Sequence, residues 1–140
     1  ETICGGTGAG PDFDGASAVH SHMTNTRMTD PEVLERRFPV RVEEFSIRRG
    51  SGGAGLHRGG DGIVRQLRFL DDMTVTVLTS NRIRQPHGAD GGQPGQSGLN
   101  TVLRQNGNRE PLAGNDRAEL KSGDAFIMET PGGGGFGVPR

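Results

Sequence analysis

Hydrophobic and polar residues alternate with a period of two through the middle of the chain. Val40 and Val42 flank Arg41, and Phe45 and Ile47 continue on the opposite parity. A strand that changes parity carries one extra residue, so a β-bulge is predicted near Glu43-Glu44. Ile63, Arg65, Leu67 and Phe69 share one face of a second strand, and Met73, Val75 and Val77 share a face of a third. Asp71-Asp72 between them reads as the turn of a hairpin. Residues 99–104 form a further strand, followed by Asn106-Gly107, a strong hairpin-turn dipeptide. Residues 117–120 and 125–129 read as short final strands separated by Ser122-Gly123-Asp124.

One helix interrupts this pattern. Thr29-Asp30-Pro31-Glu32 is a helix start in which Asp30 caps with Pro31 first in the helix, or Thr29 caps with Glu32 three residues on. Pro39 limits it to about two turns. The expected fold is mainly β: an antiparallel β-sandwich or barrel-like domain with Gly-rich loops and one short helix. Residues 1–39 form a Gly-rich loop region plus the helix, with Glu1-Thr2-Ile3 reading as a strand already under way. Residues 40–130 are the β-rich part and 131–140 a Gly-rich tail. The chain does not begin with Met, and it reads as a single domain that is the C-terminal portion of a longer protein.

Composition changes the picture in one respect. The 140 residues include 25 Gly and 8 Pro, a fraction at the edge of the disordered range, but the Gly residues are grouped between clear strands and the net charge is only -1. That balance gives no electrostatic footprint for nucleic acid, and six Phe without Trp or Tyr give no base-stacking surface. No apolar run approaches the roughly 20 residues that span a bilayer. A single cysteine, Cys4, excludes an internal disulfide and suits a reducing, cytoplasmic setting.

Candidate chemistry sits in the loops. His20 and His22 are two apart and share a face if the segment is extended, so they suit acid/base work or metal ligation. Ordinary hydrogen bonds at a surface turn are the plain alternative. A metal site would need a third ligand such as Asp12, Asp14 or His87. Gly6-Thr7-Gly8-Ala9-Gly10 looks like a phosphate loop, but Pro11 and Gly15 forbid the following helix that such a loop requires. Gly132, Gly133, Gly134 and Gly135 are either a flexible tail or a nest of N–H groups for an anion. Arg82 and Arg84, with His87, are either a solvated basic loop or a carboxylate grip. Cys4, between Ile3 and Gly5, suits a packed position better than a nucleophile.

Taken in order, several blocks resemble the hydantoinase B / 5-oxoprolinase family. They are Glu1-Thr2-Ile3, Gly5-Gly6-Thr7-Gly8-Ala9-Gly10-Pro11, the run from Asp14 to Thr26, Thr29-Asp30-Pro31-Glu32-Val33-Leu34-Glu35, Gly50-Ser51-Gly52-Gly53-Ala54-Gly55, Arg58-Gly59-Gly60-Asp61-Gly62, and the run from Glu129 to Gly137. Cys4 departs from the pattern, where the family usually has Gly. The resemblance implies part of an ATP-dependent cyclic amide hydrolase that opens 5-oxoproline to glutamate, or a hydantoin, and so a place in glutathione metabolism. It implies a hydantoinase A-like partner, as a subunit or a fused domain, that binds ATP and Mg2+, and a homo- or hetero-oligomer. It places a divalent metal site in the B part upstream of Glu1. In that frame His20 or His22 would act as base or donor, Asn25 and Thr26 would orient substrate or water, and the fragment alone would be inactive. Two alternatives stand beside it: a C-terminal docking module without catalytic residues, and part of a ketone carboxylase.

Overall fold

The computed structural model describes residues 1–21 and 26–140. His22 and Asn25 lie outside the described residues. The element order is α1 (Pro31–Arg37), β1 (Val40–Arg48), β2 (Gly62–Phe69), β3 (Met73–Leu78), β4 (Leu99–Leu103), β5 (Arg109–Leu112), β6 (Asn115–Leu120) and β7 (Ala125–Glu129). The expected mainly β fold with one short helix is the one observed. A five-stranded antiparallel sheet in the order β1-β2-β7-β4-β5 faces a two-stranded sheet of β3 and β6. The sheets form a sandwich that does not close into a barrel.

Local chemistry sets most of the elements. Asp30 is the cap of α1: its carboxylate accepts the N–H of Glu32 at 2.9 Å, and Pro31 takes a position that needs no donor. In β1 the register against β2 slips between Val42 and Glu44, so Glu43 is the bulged residue. Its carboxylate turns onto Arg68, with Glu43 Oε1 2.9 Å from Nε and Oε2 2.9 Å from Nη2. The Arg68 guanidinium holds the Glu43 carboxyl down to about 2, outweighing the upward push of burial, with Arg41 and Gln66 adding to the same effect. Asn106-Gly107 turns β4 into β5, with Gly107 at φ 90°.

Two expectations need correction. Residues 1–4 form no strand; the extended contact there is an isolated bridge between Gly5 and Val19. The strands β2 and β3 are not a hairpin. Instead β2 pairs with β1 and β7, while β3 pairs with β6. At residues 70–72 the chain leaves one sheet for the other, and Asp72 fastens that corner by accepting Ser122 N–H at 3.0 Å and Lys121 Nζ at 2.9 Å. The crossing lets Val77 and Leu120 pack against Phe69, Val102 and Phe126, with Leu34 and Val40 completing the core.

Beyond the end of β7, residues 131–137 are not a loose tail. Gly132, Gly133, Gly134 and Gly135 are all buried. Their lateral bonds repeat every third residue. Gly6 and Ala9 donate to the carbonyls of Pro131 and Gly134, at 3.0 and 2.9 Å. Gly133 and Phe136 donate to Gly60 and His57, at 2.8 and 2.9 Å. Gly132 and Gly135 donate to Gln96 and Gln93, at 3.2 and 2.9 Å. A β-ladder repeats every second residue and has two neighbours; a period of three with three neighbouring segments is that of a polyproline II-type helix in a bundle. Backbone crowds the run on all sides. A Cβ would collide with the carbonyls of Ser51, Thr7, His87 and Ala54 at Gly132, Gly133, Gly134 and Gly135 in turn. The glycine blocks of the loops are the neighbouring members of this bundle, and Thr130 ties it to the sheet by accepting the N–H of Ile63 on Oγ1 at 2.7 Å.

Candidate functional site

The two sheets part at one end to leave a cleft of about 570 Å³. Leu67, Phe69, Phe126 and Met128 supply its wall on the large sheet, and Val75 and Val77 supply the wall on β3. Its rim is built from Glu1, Thr2 and Ile3 on one side and from Thr79, Ser80 and Arg82 on the other. This size and mixture suit a small organic ligand held by a few polar groups.

Arg65 is the unexpected member. Strand alternation puts it on the same side of β2 as Ile63, Leu67 and Phe69, so a guanidinium stands where an apolar side chain would pack. It is 5% exposed. Nη1 donates to Glu1 Oε2 at 2.6 Å, while Nε and Nη2 have no hydrogen-bond partner among the described residues. Burial pushes the Glu1 carboxyl up, but the hydrogen bond and charge of Arg65 pull harder, and the Thr29 hydroxyl adds to them, so the carboxyl titrates below its ordinary range. Sequence reasoning grouped Arg65 with the inward residues of its strand without giving it a role. The signal was a charge at an inward parity.

Arg82 stands at the opposite rim. Its Nε donates to Asn100 Oδ1 at 3.1 Å and its Nη1 to the Ser80 carbonyl at 2.7 Å. Burial, and then the charge of Arg48, bring its guanidinium down to about 10, so it stays charged at neutral pH. Arg84 is exposed and does not line the cleft. With Gln85, Pro86 and His87 it borders a second hollow of about 450 Å³ whose floor includes Gly132, Gly133 and Gly134. The two arginines also share a shallow hollow with Thr79, Asn81, Ile83 and Gly114, so Arg84 stands between Arg82 and the glycine run. The N–H groups of Gly132, Gly133 and Gly135 are already committed to backbone carbonyls, which removes them as anion donors in this arrangement.

His20 sits just behind the cleft rim. Its Nε2 lies 3.0 Å from the Thr2 carbonyl, and Thr2 lines the cleft. A carbonyl only accepts, so Nε2 carries the proton and Nδ1 is left as the basic nitrogen. Thr26 is exposed. The suggested third metal ligands do not converge: Asp14 pairs with His57 at 3.4 Å and accepts Arg58 N–H at 2.9 Å, while Asp12 and His87 are exposed. Among the described residues no three His, Cys, Asp or Glu side chains gather as a metal site. Cys4 is buried, and that burial pushes its thiol up, which suits packing rather than nucleophilic attack. No helix among the described residues is long and apolar enough to cross a membrane.

Comparison with known proteins gives the chain its relatives. The chain is 52% identical, over 98% of its length, to a 5-oxoprolinase of Dictyostelium discoideum, and it spans 11% of that relative. Among solved structures, the nucleotide-free acetone carboxylase superposes with a TM-score of 0.79 at 22% identity, over 95% of this chain and 22% of that one. An ATP-dependent caprolactamase from Pseudomonas jessenii superposes at 0.75 with 25% identity, over 97% of this chain and 24% of that one. The model of the family Hydantoinase B/oxoprolinase matches residues 1–139, and the chain belongs to that family.

Proposed function

We propose that the chain is part of a cytoplasmic, ATP-dependent cyclic amide hydrolase that opens 5-oxoproline to glutamate, a step of glutathione metabolism, or opens a hydantoin. The observation that carries this reading is the 52% identity to a 5-oxoprolinase over nearly the whole chain. Geometry supports it with a cleft whose apolar walls suit ring methylenes and whose charged side chains suit a carboxylate. A hydantoinase A-like subunit or fused domain completes the enzyme in this reading. ATP, bound there with Mg2+, would supply the phosphoryl group that makes the amide carbon a better electrophile for water, with the ring nitrogen as the group that leaves. The described residues fit no metal and the Gly6–Gly10 segment makes no helix N-terminus, so neither group is placed in this chain. By the resemblance to the ketone carboxylases, a divalent metal would sit in the part of the B chain upstream of Glu1.

Within this chain the work is positioning and proton transfer. An unstrained five-membered lactam resists water, so the attacking water needs a base at hydrogen-bonding distance. In this reading His20, whose Nε2 donates to the Thr2 carbonyl, takes the proton on Nδ1. His22 is the second candidate base, with Asn25 and Thr26 orienting substrate or water. The intact enzyme, assayed with ATP on 5-oxoproline and separately on a ketone with bicarbonate, tests the proposal. Ring opening with 5-oxoproline supports it, and turnover of the ketone alone replaces it with the carboxylase reading.

A further inference from the structure

We infer that Arg65 is the anchor for the carboxylate of a small cyclic substrate bound in the intersheet cleft; the inference rests on the ring-opening reading above. Three observations carry it. First, a guanidinium on the inner face of β2 is costly to keep there, since its neighbours on that face are Ile63, Leu67 and Phe69, and a buried charge needs partners. Second, its partners are incomplete in a particular way. Glu1 holds Nη1, while Nε and Nη2 are shielded from solvent and unpartnered among the described residues. The N–H bonds of Nε and Nη2 run parallel along one edge of the planar group, the fork that a carboxylate takes with two bonds at once. Third, the charges do not balance. The charged side chains lining the cleft are Glu1, Arg65 and Arg82, which leaves one positive charge for one monoanion.

A ligand entering the cleft would therefore meet apolar walls for its ring, Arg65 beneath for its carboxylate and Arg82 at the far rim. Glu1 keeps Nη1 and holds the guanidinium plane, so the Nε–Nη2 edge is the part left for a carboxylate once the covering side chains give way. No bond is made or broken in this step. The arginine is a binding residue and acts on the substrate's affinity.

The test uses the full-length enzyme with Arg65→Met and Arg65→Lys, and two rings that differ only in the carboxylate: 5-oxoproline and 2-pyrrolidinone. With 5-oxoproline as substrate, KM is expected to rise about ten- to a hundredfold in Arg65→Met, the range for losing a hydrogen-bonded charge. Arg65→Lys, which keeps the charge and loses the fork, is expected to fall between. The inhibition constant of 2-pyrrolidinone should shift far less than that Michaelis constant does. Equal weakening of both rings in folded variants would overturn the inference and leave Arg65 a structural ion pair. If Arg65→Met does not fold, the same comparison is read on Arg65→Lys. If the wild-type enzyme opens no cyclic amide, the ring-opening reading fails by itself. The anchor is then judged by thermal unfolding: protection by 5-oxoproline but not by 2-pyrrolidinone sustains it, and equal or no protection by both refutes it.

Discussion

Consider placing a single methyl group on the axis of the glycine bundle by Gly133→Ala. The residue is buried, its N–H donates to the Gly60 carbonyl at 2.8 Å, and its own carbonyl accepts Gly53 N–H at 2.8 Å. A Cβ there lands on the Thr7 carbonyl, closer than real Cβ contacts come. The obstacle is backbone, so relief requires moving either segment 5–9 or the run 131–137. Movement breaks the bonds on both sides of Gly133 and loosens the neighbouring bond from Gly60 N–H to Thr7, now 2.9 Å. Three bonds at about 1 kcal/mol each, plus at least one stranded buried group at about 1–3 kcal/mol, give a loss of about 4–6 kcal/mol. Gly8→Ala is the control. Gly8 belongs to the same bundle but is exposed, and its Cβ would sit 3.8 Å from the Gly134 carbonyl, an ordinary contact. That variant should change stability by less than about 1 kcal/mol, with a stabilising contribution from a stiffer unfolded chain. Urea unfolding followed by circular dichroism reads the difference. With m of about 1–3 kcal/mol/M, the Gly133→Ala midpoint should fall by roughly 2 M while Gly8→Ala stays near wild type. Equal midpoints for the two variants would refute the packing argument.

Three further outcomes follow from particular side chains. Leu120 is 1% exposed at the centre of the sandwich, so Leu120→Ala should cost about 3 kcal/mol in the same urea assay. The Glu43 carboxyl titrates at about 2 in the folded chain, below its ordinary value, so its ion pair stabilises the fold above the unfolded pKa and is lost as pH falls from about 5 toward 2. Glu43→Gln should flatten the acid limb of a stability–pH curve over that window, and an unchanged limb would show that Glu43 contributes nothing to it. His20→Ala in the full-length enzyme should slow turnover of 5-oxoproline by about a hundredfold or more, the size of a lost general base; turnover within about threefold of wild type would remove His20 from the mechanism.

What the sequence made legible was governed by near neighbours. The Asp30 cap depends on contacts within one turn, the Glu43 bulge on a parity change between Val42 and Phe45, and the β4–β5 hairpin on two turn residues. The misread hairpin shows the limit. Asp71-Asp72 carried a turn signal, and the chain does turn there, but which strand lies beside β2 is decided by β7, more than fifty residues on. The glycine blocks failed for the same reason. Each is permissive alone, and only the lateral bonds among 5–9, 51–60, 86–96 and 131–137 give them a common axis. Arg65 was visible as a charge at an inward position, but Glu1, which makes that position tolerable, lies sixty-four residues away.

The bundle also has a consequence for how the protein is made. Its axis, residues 131–137, bonds to partners roughly 40 to 120 positions earlier, so each contact closes a long loop with little local gain. During synthesis, the early glycine segments have nothing to wrap until that axis leaves the ribosome. Until then they stay hydrated, a period when a chaperone or a pre-folded upstream region would matter most.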